Sequence, residues 1–255
     1  MDELILHDLR KFLFALADDE LILGHRASEW CGHAPILEED IAFANLALDE
    51  IGHAAAWYSI LAELDGQDPD TYADRLVYFR AAEDFRNAQL VELPNGDWAF
   101  TMLRQYLFDA AEKTRLSALK HSAYQPVAQV AEKMLREELY HERHTRLWVL
   151  RLSRGTEESH RRMQTALEAC WPHVAQLLAS TPSLTRLTSA GVTPEAQAWF
   201  ANWQACILPF LEAECELSIP SEAPPALDRS VHTPHLRVIL AEMQALPRQE
   251  PEAQW

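Results

Sequence analysis

Apolar residues recur at alternating spacings of three and four along most of the chain, the period of a helix that turns one face inward. The pattern is strongest in four long stretches. The first runs from about Glu3 to Trp30, where Cys31-Gly32-His33-Ala34-Pro35 stops it. The second runs from near Glu38 to Asp65, closed by Gly66 and Pro69. A turn at Leu93-Pro94-Asn95-Gly96-Asp97 leads into the third, roughly Trp98 to Tyr124, with Asp97 as its cap. Pro126 suits the first turn of a fourth that reaches about Ser153 and breaks at Arg154-Gly155-Thr156.

Between the second and third stretches lies a long connection with short helical pieces around residues 72–82 and 84–90. Beyond Gly155 a fifth helix is expected over about Glu157 to Leu178, kinked at Pro172. A sixth starts after Thr193-Pro194 and reaches about Ser218 with Pro209 inside it. Residues 220–229 read as loop, and a short helix opens at Thr233-Pro234 and ends before Pro247. Two helical hairpins joined by one long crossover is the layout of a ferritin-like four-helix bundle. The expectation is therefore one all-α domain over 1–255, with the bundle at about 3–153 and additional C-terminal helices, about 157–246, packed outside it.

Composition agrees with this and removes several alternatives. Only 7 of 255 residues are Gly, well under the roughly 7% of average proteins, too few for a sheet rich in tight turns. No Gly-rich phosphate loop is present, which argues against dinucleotide-binding and P-loop enzymes. A net charge of −17 repels nucleic acid and anionic lipid. No apolar run approaches the ~18 residues of a membrane span, and Met1-Asp2-Glu3 lacks the layout of a signal peptide. Cys31, Cys170, Cys206 and Cys215 form no CxxC pair and read as reduced thiols of a cytoplasmic protein.

Polar residues interrupt the apolar seams at matched places. The second helix reads Phe43, Leu46, Glu50, His53, Trp57, Ile60, and the fourth reads Val127, Ala131, Met134, Glu138, His141, Thr145. The first carries Glu20 between Leu16 and Leu23, and the third carries Glu112 between Phe108 and Leu116, with Asp109 as an alternative one turn away. A Glu and a His three apart share a helix face, so one ion can take both. Two such pairs plus one carboxylate from each remaining helix match the ligand set of di-iron and di-manganese bundles. At about 1.5 Å per residue, the four carboxylates fall at a similar depth of roughly 15–18 Å along their hairpins. A buried carboxylate needs a counter-charge or a metal, so Glu20, Glu50, His53, Glu112, Glu138 and His141 are the candidate ligands. Iron is expected before manganese. Tyr140, beside His141, reads as packing.

Several stretches resemble a known family. They are Ser28-Glu29-Trp30-Cys31-Gly32-His33-Ala34-Pro35-Ile36-Leu37-Glu38, followed by Asn45, Leu48-Asp49 and Gly52. Leu90-Val91-Glu92-Leu93-Pro94-Asn95-Gly96-Asp97 with Arg104-Gln105-Tyr106 continues the likeness, as do His232-Thr233-Pro234-His235-Leu236 and Leu240-Ala241-Glu242-Met243-Gln244. They resemble the PaaC-type subunits of bacterial phenylacetyl-CoA epoxidases. The resemblance implies a complex that adds one oxygen atom of O2 across the ring of phenylacetyl-CoA. It implies, as partner, a homologous ferritin-like catalytic subunit. It also implies further oxygenase components, including an NADPH-fed flavin and iron–sulfur reductase, and a structural role for this chain. Alone, the chain would form a homodimer. Some members of the family have lost the iron ligands, whereas all six candidates remain here. An oxygenase or ferroxidase active in its own right is accordingly the alternative function. Helices five and six and the C-terminal segment are left, by elimination, as docking surfaces.

Overall fold

Caps and apolar stripes place the long helices close to where the pattern puts them. In the computed structural model, which describes residues 2–220, 225–251 and 253, Asp2 accepts a hydrogen bond from the Leu4 amide and opens α1 (Glu3–Ser28). Helix α2 (Leu37–Asp65) ends on Gly66, whose φ of 62° is the left-handed conformation that glycine adopts at least cost. The crossover holds α3 (Pro69–Phe79), a single 3-10 turn and the one-turn α4 (Gln89–Glu92). Asp97 caps α5 (Trp98–Leu119) by accepting from the Phe100 amide, and Pro126 lies in the first turn of α6 (Gln125–Ser153). Helix α1 pairs with α2, and α5 with α6, to give the four-helix bundle. No strand occurs among the described residues. The fold is all-α and ferritin-like in topology.

The outer helices cover the α1/α5 side. Helix α7 (Glu157–Cys170) starts from a reciprocal Thr156–Ser159 capping box and lies on α5 and α6. Helix α8 (Pro182–Ser189) lies on α1, α9 (Trp199–Pro209) on α5, and α10 (Pro234–Met243) with α11 (Ala245–Gln249) over the crossover. Three buried aspartates of α1 hold this outer layer in place. Asp8 takes two Arg186 nitrogens, Asp18 takes Arg80, and Asp19 takes Arg229 and the Ala88 amide.

The departures from the sequence reading have local causes. The third long helix stops at Leu119 rather than Tyr124, because Ala123 and Ser122 bond outward to the carbonyls of Gly191 and Val192. The fifth ends as α-helix at Cys170 and tightens into a 3-10 turn over Trp171–Gln176, where Pro172 has no N–H to bond back. The sixth is shorter than expected: α9 ends at Pro209 and widens to a π turn over Phe210–Glu214. Pro247 does not end the C-terminal helical region. It sits in the first turn of α11, where amides are unpaired in any case. The eight residues of α8, capped by Thr181 with Pro182 behind it, are absent from the sequence reading. Residues 221–224 of the expected loop lie outside the described residues.

One glycine sets how closely the first hairpin packs. A Cβ on Gly24 would stand 3.0 Å from the Glu50 Cβ, 3.1 Å from Ile51 Cγ1 and 3.2 Å from the Ala47 carbonyl oxygen. Gly24→Ala would gain helix propensity of about 1 kcal/mol, but two of those neighbours cannot yield without moving α2. The expected net effect is destabilisation by about 1–2 kcal/mol, read as a lower midpoint in urea unfolding. A more stable variant would show that α1 and α2 tolerate separation.

Candidate metal centre

Six side chains from four helices meet in the middle of the bundle in a dry layer. Glu50, Glu112 and Glu138 are 0% exposed and Glu20 is 1%, with His53 and His141 at 3% and 2%. Ligand-capable atoms of Glu20, Glu50 and His53 lie within 4.8 Å of one another, and so do those of Glu50, Glu138 and His141. Glu50 therefore belongs to both triads. His53 Nδ1 stands 3.8 Å from a carboxylate oxygen of Glu20 and of Glu50, and His141 Nδ1 stands 3.4 Å from Glu138 and 3.9 Å from Glu50. The two imidazole centroids are 6.1 Å apart.

The outer nitrogens fix which way the rings face. His53 Nε2 donates to Glu137 at 2.8 Å, and His141 Nε2 donates to Asp49 at 3.3 Å. A carboxylate only accepts, so the protons sit on Nε2 and each Nδ1 faces the layer. This is how ligand imidazoles are held in metal sites. The two motifs are reciprocal: Asp49-Glu50-Ile51-Gly52-His53 and Glu137-Glu138-Leu139-Tyr140-His141 each put an acid before the Glu, and each acid crosses to the other helix's histidine. Sequence reasoning missed Asp49 and Glu137. The repeated acid-Glu-x-x-His pattern was the signal for them.

Whether this donor set fits a metal is tested by its hydrogen bonds. Both oxygens of Glu20 and of Glu138, one oxygen of Glu50, and Nδ1 of both histidines are buried with no hydrogen-bond partner. Buried polar atoms in folded proteins are almost always paired, and orphans that face one another across a dry layer are what cations between them would satisfy. The donor set fits.

Glu112 is placed differently. One of its oxygens takes both Arg115 hydrogen bonds, and the other has no partner. It is buried beside the triads but engaged by a cation of its own helix. Asp109 is bonded on both oxygens, by Gln105 at 2.8 Å and Thr145 at 2.7 Å, and Gln105 reaches Glu50 at 2.9 Å. Arg115 also lines a cleft of about 430 Å³ between α1, α8 and residues 227–230. Tyr140 does not pack in the core; α6 turns its ring outward and leaves it 66% exposed.

Electrostatics follow from crowding carboxylates away from water. Burial opposes charge on His53, but Glu20, Glu138 and Glu137 outweigh it and lift its pKa to about 10. Burial likewise opposes charge on His141, and Glu138, Asp109 and Asp49 lift it to about 9. Burial and neighbouring carboxylates push Glu50 and Asp109 well above the usual range, and burial brings Glu112 to about 8 despite Arg115. Burial raises Glu20 too, yet the neighbouring Glu50 carboxyl and His53 imidazole leave it below its ordinary value. Without a cation, the layer lessens its repulsion by holding protons. A bound cation displaces them.

No helix among the described residues is long and apolar enough to cross a membrane. A family model described as phenylacetic acid catabolic protein matches residues 1–255. The chain is 36% identical over 252 residues to the C subunit of the 1,2-phenylacetyl-CoA epoxidase of Escherichia coli (strain K12), a match that covers 98% of this chain and 100% of that one. It is 25% identical over 155 residues to the A subunit of the same epoxidase, 61% of this chain and 48% of that one. A match along every residue of the chain, on an all-helical fold with paired Glu-x-x-His motifs, places this protein in the phenylacetic acid catabolic protein family.

Proposed function

We propose that the chain is the C-type subunit of a cytoplasmic 1,2-phenylacetyl-CoA epoxidase, the structural partner of a homologous catalytic subunit, and of the other oxygenase components. The observation that carries this reading is end-to-end coverage of the C subunit of that enzyme, against coverage of under half of its A subunit. Four free cysteines, two of them exposed, are in keeping with a reducing compartment.

The buried layer is proposed to hold a pair of metal ions, iron before manganese, by Glu20, Glu50, His53, Glu138 and His141. Carboxylate oxygens with two imidazoles suit those ions. When bound, a reduced iron pair supplies electrons to O2. The chain's own residues do the rest: Glu50 serves both positions, Asp49 and Glu137 hold the imidazoles, and the buried Phe43, Trp57, Phe108 and Met134 keep water out of the bundle core. Arg115 withdraws one Glu112 oxygen from the ligand set. That pairing favours the accessory role over an oxygenase or ferroxidase of its own.

Reconstitution tests the subunit reading. With the reductase and the A-type subunit present, turnover of phenylacetyl-CoA is expected to need this chain and to fall to background without it. Undiminished turnover in its absence would overturn the assignment.

A further inference from the structure

The cleft between α1, α8 and residues 227–230 combines an apolar wall with a cationic end. Its volume of about 430 Å³ falls within the range of small-molecule sites, roughly 300–1,000 Å³. Phe12 and Leu16 of α1, Leu184 and Leu187 of α8, and Trp199 of α9 supply the apolar wall. The Phe12 and Trp199 rings lie 6.2 Å apart. Leu227 also lines the cleft and is 53% exposed, an apolar side chain that a bound apolar body would cover. Three of the cations gather toward Asp18 and Asp19 of α1. The Arg86 amide binds Asp18, and Arg115 and Arg229 both reach Asp19.

Most of the charge around the cleft cancels in pairs. Its lining holds Lys11, Arg86, Arg115 and Arg229 against Asp8 and Asp228. Asp8 takes Arg186 on both oxygens, Asp19 takes Arg229, and Glu112 takes Arg115. Lys11 and Arg86 are left, with Asp228 as the one carboxylate facing them. Asp228 bonds one oxygen to the amide and hydroxyl of Ser230. Lys11 is exposed and makes no ion pair among the described residues. Arg86 gives only Nη1, to the Glu83 and Phe85 carbonyls, so its Nε and Nη2 have no acceptor among the described residues. The surplus is one positive charge beside an apolar hollow, on a chain whose net charge is −17.

We propose that this cleft binds a monocarboxylic acid with an apolar body. The carboxylate would lie at Arg86 and Lys11, and the body against Phe12, Leu184 and Trp199. A guanidinium with two free N–H groups matches the two oxygens of a carboxylate. One surplus cation selects one negative charge; a phosphorylated ligand would bring two or more. Arg115 and Arg229 are already held by Glu112 and Asp19, so they wall the site without having to move. The site is distinct from the buried layer, and its occupancy needs neither bound metal nor a partner subunit.

The test is calorimetric titration of the full chain with octanoate and with phenylbutyrate, an acyl and an aryl probe of the same class. One of them, or both, is expected to bind at one molecule per chain. The tighter one tells which body the apolar wall prefers. The matching uncharged amides should bind at least about 10-fold more weakly. Lys11→Gln with Arg86→Gln should weaken the acid by about 10-fold and leave the amide unchanged. Ala179→Trp, at a loop position lining the cleft, should weaken acid and amide together by filling the space. Arg161→Gln with Arg162→Gln on α7 removes as much charge elsewhere and should change nothing. Acid and amide binding equally would overturn the assigned ligand class. Failure of both acids to bind the wild-type chain, or wild-type affinity in both cleft variants, would overturn the site.

Discussion

Glu50→Ala is expected to remove metal from both proposed positions at once. Glu50 is the member common to the two triads, within 4.8 Å of Glu20 and His53 on one side and of Glu138 and His141 on the other. Metal content is expected to fall from about two ions per chain, the stoichiometry of carboxylate-bridged bundles, to near zero. Glu20→Ala and Glu138→Ala each strip one triad of an unshared carboxylate and should retain part of the metal. The metal-free variant should be no less stable than the metal-free wild type. Glu50 sits between two other carboxylates in a dry site, and the repulsion relieved offsets the cavity that alanine leaves and the lost Gln105 hydrogen bond. Elemental mass spectrometry of the three variants, with thermal unfolding of each in chelator, checks both halves. Full metal content in Glu50→Ala would show that the ligands lie elsewhere.

Arg80→Ala is expected to cost about 3–5 kcal/mol, the range for breaking a buried pair from one side. Asp18 is wholly buried, and Arg80 reaches it at 2.5 Å; Tyr58 and the Arg86 amide supply its other donors at 2.5 and 2.7 Å. Burial and the neighbouring Asp18 charge keep the Tyr58 phenol neutral, so that it donates. The guanidinium also lies 4.1 Å from the Phe85 ring centroid. Alanine leaves the carboxylate with neutral donors alone and frees residues 80–86 from α1, two positions from Glu20. Asp18→Asn should cost less, because Arg80 has some access to water. In the Arg80→Ala, Asp18→Asn double variant, part of the Arg80→Ala loss should be recovered. Urea unfolding of the three reads this directly, and a loss below about 1 kcal/mol in Arg80→Ala would mean that Asp18 does not anchor the crossover.

The long helices were legible because each combines a stop signal with an uninterrupted apolar stripe. Glu50, His53, Glu138 and His141 stood out because they break such a stripe at a depth where nothing polar belongs. What stayed hidden depends on residues far apart in sequence. Asp18, Asp19 and Glu20 are three consecutive acids, all buried, and only the distant Arg80 and Arg229 separate the structural pair from the candidate ligand. Glu112 and Arg115 have a spacing that on any helix reads as a surface pair; burial alone turns it into a restraint on the ligand set.

A metal pair held by Glu20, Glu50, His53, Glu138 and His141, as proposed above, would give the unpaired acids of the layer their purpose. Elemental mass spectrometry of the wild-type chain, expressed with ample iron and purified without chelators, decides whether it is there. About two iron ions per chain are expected. A folded chain with no bound metal would contradict this reading, and would leave protons as what holds the layer together.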